Sequence, residues 1–410
     1  MKKAISLVMI VMLLLTGCHF SSGQSVATDA TEAIAVYDWM AGESPVSPQR
    51  TGLFRAGLNI VDHEVTASGV YFIYKDFILY SDDRSDSIIK LCGRPDCTHD
   101  TQDCNAHLKD GSQIAYCNGY LYAVTGNQSE EACKLVRMDL DGDNRVEILD
   151  LLKFAKENGG DFVVCEMVTN GTLLFSTYGW VEQDEGEFGG SWLEYYTYPL
   201  DGSVSKPKAV DSKGWFNYNC GNVILTYMAE AKYGGEYGSY WNWNMETDTL
   251  TYLCDHPGSP GYFGEEKGYY YRDGAVRCLN YATHEEKILI ETNLIGDYYA
   301  LCLPDCIVLV SRDSESEGAD QNIYIYNWDF TLVDQIKLDY PKTDNLRMEH
   351  TIIAENAERL ILTTTFQGLP MYYIEKSELG TGKAKVYPFK MPDLTSELVY
   401  WEDQEWLENG

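Results

Sequence analysis

One pattern of turns and short apolar strands recurs along this chain, and a chain built of such units has few ways to bury its core. The unit is clearest at 118–149, NGYLYAVTGNQSEEACKLVRMDLDGDNRVEIL. A turn leads into the strand YLYAVTG, a loop into CKLVRMDL, and the turn DGDN into RVEIL. QIAYC just upstream supplies a fourth strand, so the unit reads as an antiparallel meander. The same order fits at 68–92, 170–210, 221–254, 267–290, 305–338 and 358–389, at roughly 35–55 residues per unit. Four strands at this period predict an all-β chain folded as a β-propeller of seven four-stranded blades, with six or eight as the alternatives. The physical reason is that one blade cannot bury both faces of its sheet, whereas a ring of blades buries both and protects most edges. A β-sandwich, or two smaller all-β domains, is the competing arrangement. The 31 tyrosines favour strands, and no long helical period follows the N-terminal segment. A terminal strand, AIAVYDW (33–39) or ELVYWED (397–403), is expected to close the ring.

The chain opens MKKAISLVMIVMLLLTGCHF. Lys2 and Lys3 form a basic start, and Ala4 to Leu15 is an apolar run of twelve residues. That is too short for a spanning helix, which needs about 20 residues. It fits the apolar region of a secretory signal. Leu15-Thr16-Gly17-Cys18 then resembles the lipobox of bacterial lipoproteins. The resemblance implies that the Cys18 sulfur takes a diacylglyceryl group and that cleavage leaves Cys18 first. Small residues suit a peptidase groove, and the thiol is the strong nucleophile nearby. Two acyl chains anchor stably where one is marginal. The expected organisation is a signal peptide at 1–17, lipidated Cys18 with a small, polar tether at 18–35, and the propeller at 36–410. The protein would then lie outside the cytoplasm, held to the bilayer through Cys18.

The formal net charge is −32, and removal of Lys2 and Lys3 makes it more negative. Such a surface repels phosphate backbones, which argues against nucleic-acid binding, and repels anionic lipid, so the body should stand off the membrane. Of twelve cysteines, eleven remain besides Cys18, an odd number that cannot all pair within one chain. Cys165, Cys220 and Cys302 read as buried strand residues acting as small hydrophobes.

The turns RMDLDG and YPLDG, set after aromatic strand starts, resemble those of bacterial lipoproteins carrying a TolB-like propeller. The likeness covers most of the chain beyond the leader. It implies a fold and a binding role and no reaction.

Within LCGRPDCTHDTQDCNAHL (91–108), Cys92, Cys97, His99 and Cys104 offer three thiolates and an imidazole. That is the donor set of a closed, structural tetrahedral zinc site, and a metal would fix a loop with little core of its own. The C-x4-C-x-H-x4-C spacing lacks the tight C-x2-C of common zinc folds, so a disulfide among these cysteines is an equal reading outside the cytosol. The stretch joins the first blade to the second, on the face where the longest loops, 180–191 and 229–239, should also open. Those loops offer Trp180, Trp192, Tyr233, Tyr237 and Tyr240 as ligand-binding residues, among Glu182, Asp184, Glu185, Glu187 and Glu236. Flat amphipathic rings suit a glycan, a peptide or an envelope protein. Asp139, Asp141 and Asp143 hint at calcium, but Gly142 falls at position 4 rather than 6 of a calcium loop, and a hairpin turn explains them.

No catalytic residues are assigned. HEEK (284–287) lacks the second histidine of a zinc protease, GTGKAK (380–385) lacks the spacing of a phosphate loop, and no G-x-S-x-G elbow occurs. The expected function is a membrane-tethered binding or scaffold module. A carbohydrate-active or peptide-cleaving enzyme on the same ring is the alternative, and a subunit of an envelope complex is a third reading.

Overall fold

The computed structural model describes residues 62–394, apart from 75, 100, 102, 127–131, 170, 183–187, 211–214, 221–222, 229–231, 233–237, 245–246, 256–258, 265, 293, 295–297, 312–321, 339–350 and 364–370. The leader, Cys18, the tether and both candidate closing strands (33–39 and 397–403) lie outside the described residues.

Among the described residues the strands form seven four-stranded antiparallel sheets, each a simple meander drawn from one continuous stretch. Sheet 1 comprises Asp62–Thr66, Gly69–Tyr74, Phe77–Asp82 and Ile89–Lys90. The others run over 113–150, 162–210, 215–255, 259–291, 298–337 and 351–388. First strands lie against first strands: Asp62–Thr66 touches both Gln113–Cys117 and Thr351–Glu355, which brings sheet 1 between sheets 2 and 7.

Packing closes the ring. One apolar cluster joins Met371 and Tyr373 of sheet 7 to Phe72 and Leu79 of sheet 1 and to Leu121 and Met138 of sheet 2. Others join sheets 2 and 3 through Tyr122 and Phe175, and sheets 3 and 4 through Tyr195 and Trp243. Sheets 4, 5 and 6 meet at Tyr240, Phe263 and Tyr298, and sheets 6 and 7 at Ile325 and Leu360. Burial along each sheet follows from this. Gly69–Tyr74 is buried at every position because neighbours cover both its faces. Glu286–Glu291, an outermost strand, is mostly exposed. This is a β-propeller, as the repeat predicts.

A cross-sheet hydrogen bond reinforces one apolar seam. The buried Tyr122 hydroxyl of sheet 2 donates to Leu200 O of sheet 3 at 2.8 Å. Tyr122→Phe leaves that carbonyl without its donor and should cost about 1–2 kcal/mol, read as a lower urea midpoint at unchanged slope.

The seam between sheets 7 and 1 is polar as well as apolar. Ser87 and Lys390 form a parallel bridge, with Ile88 N–H donating to Lys390 O and Lys390 N–H to Asp86 O, both at 2.9 Å. The buried Arg359 guanidinium pairs with Glu375 at 2.7 Å and also donates to the Ser85 carbonyl of sheet 1. Between sheets 6 and 7, Lys376 Nζ lies 2.5 Å from Glu355 and 2.7 Å from Asp305. Lys376 and Glu355 side chains are only 4% and 3% exposed, so this pair is held almost dry.

One α-helix among the described residues, Leu151–Glu157 (α1), departs from the all-strand expectation. Asp150 caps it by accepting from Lys153 N–H at 2.9 Å. Leu151, Leu152 and Ala155 bury it in the cluster between sheets 2 and 3. No helix among the described residues is long and apolar enough to cross a membrane.

Candidate metal centre and the rim loops

The loop at 91–112 is an excursion in the outer edge of sheet 1. Ile89–Lys90 pairs with Leu79 and Tyr80, and Leu91 N–H then donates to Ile78 O at 2.9 Å. There the chain leaves the edge. It returns at Ala106, whose carbonyl accepts Ile78 N–H at 2.8 Å, and His107 bridges Phe77. Leu108 N–H completes the edge on Asp76 O at 2.7 Å. The described residues between form tight turns, with Cys97 N–H on Arg94 O at 3.2 Å and Cys104 N–H on Thr101 O at 3.0 Å.

These turns bring Cys92, Cys97, His99 and Cys104 together. One ligand atom from each lies within 4.8 Å of all the others, and His99 Nδ1 is 3.4 Å from Cys104 Sγ. A tetrahedral zinc with Zn–S of ~2.3 Å and Zn–N of ~2.0 Å sets its donors about 3.5–3.8 Å apart, so small side-chain adjustments close the shell. The group can hold a metal ion. No disulfide joins the three sulfurs, nor any of the ten cysteines whose side chains are described. His99 adopts φ 61°, a left-handed backbone unusual outside glycine and its polar substitutes. Such strain persists where surrounding structure or a ligand compensates it.

The electrostatics favour a thiolate at Cys92. Burial pushes the Cys92 thiol up, but the Arg94 backbone N–H and guanidinium and the Asn105 N–H outweigh it and bring it down to about 6. Cys104 goes the other way, to about 11, because burial, with the neighbouring Cys97 and Cys92 sulfurs adding to it, outweighs the Ala106 N–H. The Ala106 N–H points at Cys104 Sγ from 3.3 Å. Arg94 lies 3.6 Å from Cys97 Sγ and also donates to the Asp103 carbonyl. Three thiolates and one imidazole around a divalent ion carry one net negative charge, which Arg94 offsets. His107, the other histidine of the stretch, stacks edge-on to Phe77 with centroids 5.8 Å apart and belongs to the sheet edge.

The loop does not stay on one face of the ring. Its ends do: Asp76 sits in the turn between the second and third strands of sheet 1, and Lys109 O accepts Gly126 N–H at the corresponding connection of sheet 2. Its return limb instead meets the turn at 139–145, which joins the third and fourth strands of sheet 2 at the opposite end of that sheet. Arg145 donates to the carbonyls of Asn105 and His107 and, through Nε, to Gly142 O at 3.2 Å. The cluster therefore lies on the rim between sheets 1 and 2, because apolar Cys104, Ala106 and Leu108 are drawn into the core there. Neither Arg94 nor Arg145 carries a sequence signal for this role. Both act on backbone carbonyls or sulfur across turns, and Arg145 comes from another sheet.

The aspartates at 139–143 form the hairpin turn. Asp139 N–H donates to Asp143 O, Gly142 N–H to Asp139 O, and Asn144 Nδ2 to Asp139 Oδ2, at 2.7–2.9 Å.

The aromatic set separates. Tyr240 is 3% exposed and packs on Phe263 with centroids 5.1 Å apart, so the core claims its ring and no loop surface presents it. It is the second residue of the strand Ser239–Asn244, whose first two positions are both buried. Tyr233, Tyr237 and Glu236 lie outside the described residues, as do Asp184, Glu185 and Glu187. Trp180 and Trp192 stand in strands rather than in a loop. Trp180 pairs with Ser191 and Trp192 with Gly179. The hairpin Thr172–Glu182 and Phe188–Pro199 is far longer than the five- to seven-residue strands of its neighbours. The first strand of sheet 3 pairs only as far as Tyr178, and the fourth only with 195–197. Among the described residues, 179–182 and 188–192 thus pair with each other alone, as a two-stranded ribbon extending past the sheet by about 13 Å at ~3.3 Å per residue.

No family model and no curated protein matches the chain. Solved structures similar to it include TolB from Acinetobacter baumannii, at 13% identity and TM-score 0.31, over 66% of this chain and 61% of that one. The WD40 β-propeller domain of Doa1 is similar at 10% identity and TM-score 0.35, over 69% and 83%. A chain of the mitotic checkpoint complex is similar at 9% identity and TM-score 0.40, over 91% and 99%. This chain spans less than two thirds of the TolB chain's length. The propeller assignment rests on the sheet order and the packing of successive sheets.

Proposed function

We propose that this chain is an extracytoplasmic β-propeller, lipid-anchored at Cys18, that works as a binding or scaffold module, with a structural zinc in the Cys92, Cys97, His99 and Cys104 cluster. The observation that carries the binding role is the ribbon at 179–182 and 188–192, a two-stranded projection from a rigid ring. Binding residues concentrate on loops and projections set on such scaffolds. Trp180 and Trp192 lie on the ribbon, and tryptophan is a common anchor for glycan, peptide or protein partners. Three thiolates and a histidine complete a tetrahedral sphere, so the metal would hold structure and leave no open position for catalysis.

The binding role is tested by trimming the hairpin to a two-residue turn at 179–192 and probing wild type and variant with a glycan array and a peptide library. The reading expects at least one probe retained by wild type and lost by the variant, with cooperative unfolding kept in both. Retention by the trimmed variant contradicts it. Turnover of a glycan or peptide, abolished by a single carboxylate change, would favour the enzyme alternative. The anchor has its own test. Cys18→Ser should move the protein from the membrane fraction to the soluble fraction and abolish labelling by a palmitate analogue. Unchanged fractionation contradicts the anchor.

A further inference from the structure

The return limb of the metal loop is held from two sides. On one side it is the edge of sheet 1, through Ala106 O to Ile78 N–H and Leu108 N–H to Asp76 O. On the other it is gripped by sheet 2, where the Arg145 guanidinium donates to Asn105 O and His107 O. Gly142, at φ +80°, packs so closely that a Cβ there would lie 2.6 Å from Asn105 O. Cys104, a candidate ligand only 1% exposed, immediately precedes this limb. A metal that fixes Cys104 Sγ therefore also fixes the two carbonyls that Arg145 holds.

We infer that metal capture at the Cys/His cluster and docking of the 139–145 turn of sheet 2 are one coupled event, with Arg145 as the positioning residue between them. The inference rests on the proposed metal reading and adds its consequence: the ion pins two sheets of the ring together as well as closing a loop. Three features support it. The ligands all come from the loop of sheet 1, while the limb's second set of hydrogen bonds comes from sheet 2. The two sheets share one apolar cluster with Cys104, Leu121 and Met138 in it. Arg145 Nε is itself fixed on Gly142 O, so the guanidinium transmits position rather than swinging free. Coupling of this kind is reciprocal: what Arg145 adds to metal affinity, the metal adds to the order of the turn.

The test uses the full mature chain and zinc alone. Zinc affinity is measured by chelator competition for wild type, Arg145→Gln and Arg145→Lys, and amide exchange is followed at 91–110 and 134–150 with and without zinc. Wild type should bind a single zinc ion, Arg145→Gln about tenfold more weakly, and Arg145→Lys in between. Removing zinc from wild type should speed exchange in both segments, and from Arg145→Gln only in the first. A merely structural arginine would leave zinc affinity unmoved. Equal affinity in Arg145→Gln and wild type, with exchange at 134–150 indifferent to zinc, overturns the coupling while leaving the metal site intact. A wild type that binds no zinc overturns both. Should Arg145→Gln fail to fold, the wild-type exchange comparison decides alone.

Discussion

Cys104→Ser is expected to weaken zinc binding by more than a hundredfold. A structural zinc contributes about 10–16 kcal/mol in small domains, or about 3 kcal/mol for each of four ligands, and a hundredfold corresponds to about 2.7 kcal/mol. Cys104 should sit at the upper end of the set. It is the buried ligand, its sulfur takes the Ala106 N–H, and its neighbours anchor the return limb to two sheets. Cys97 is more exposed and belongs to the outer part of the loop, so Cys97→Ser should lose metal with less effect on the ring. Chelator competition ranks the two variants, and thermal unfolding shows whether loss of metal reaches the core. The expected order is a larger fall in midpoint for Cys104→Ser than for Cys97→Ser. Equal zinc affinity in wild type and both variants would remove the metal from the account.

The second large effect lies at the seam between sheets 6 and 7, where Lys376→Met should cost about 3–5 kcal/mol at about pH 8. Breaking a buried ion pair from one side leaves an uncompensated charge, which is costlier than never having built the pair. Here the stranded group is Glu355, 3% exposed, with Asp305 close by to repel it. Burial already pushes Glu355 from its ordinary 4.5 to about 7 even though Lys376 opposes the shift. Without Lys376 the carboxyl rises further. A folded-state carboxyl with a raised pKa binds more protons than the unfolded one above the ordinary value, so its contribution to stability falls as pH rises through that window. The deficit of Lys376→Met should therefore shrink between about pH 8 and about pH 5.5, as Glu355 takes up a proton. Urea unfolding at both values checks the sign. Lys376→Met combined with Glu355→Leu should regain most of the loss at the higher pH. A deficit independent of pH would mean that packing around the lysine stem, not charge, sets the cost.

The ring was legible in the sequence because its signal is local and repeated. Each unit pairs with itself, so alternation and turn residues such as those at 118–119 and 141–144 suffice to mark the strands. The Cys/His donor set was legible for the same reason, since all four ligands fall within thirteen positions of one loop. What was not legible depends on contacts between units. The long hairpin of sheet 3 reads as strand, loop, strand because Gly179, Gly189, Gly190 and the acidic run between them interrupt strand propensity. Pairing nevertheless includes Gly179, Glu182 and Gly189, because each strand needs only the other. Tyr240 reads as a loop aromatic, yet it stands within a strand and its ring is claimed by sheet 5. The seven residues of α1 are too few for a helical period to stand out, although Asp150 marks the cap and Leu151, Leu152 and Ala155 the buried face. Ring closure by 86–88 against 390 pairs residues some three hundred positions apart, with no local mark. The position of the metal loop on the rim follows from Arg145 and from burial of Cys104, both set by the neighbouring sheet.

The most direct measurement is the intact mass of the mature chain, native and denatured, with thiol alkylation before and after reduction. The account predicts a native mass carrying a single zinc ion that is lost on denaturation, after which Cys92, Cys97 and Cys104 all alkylate without reduction. A metal-free native mass, with two of those three cysteines resisting alkylation until reduced, would contradict it and make the loop a disulfide-stapled one.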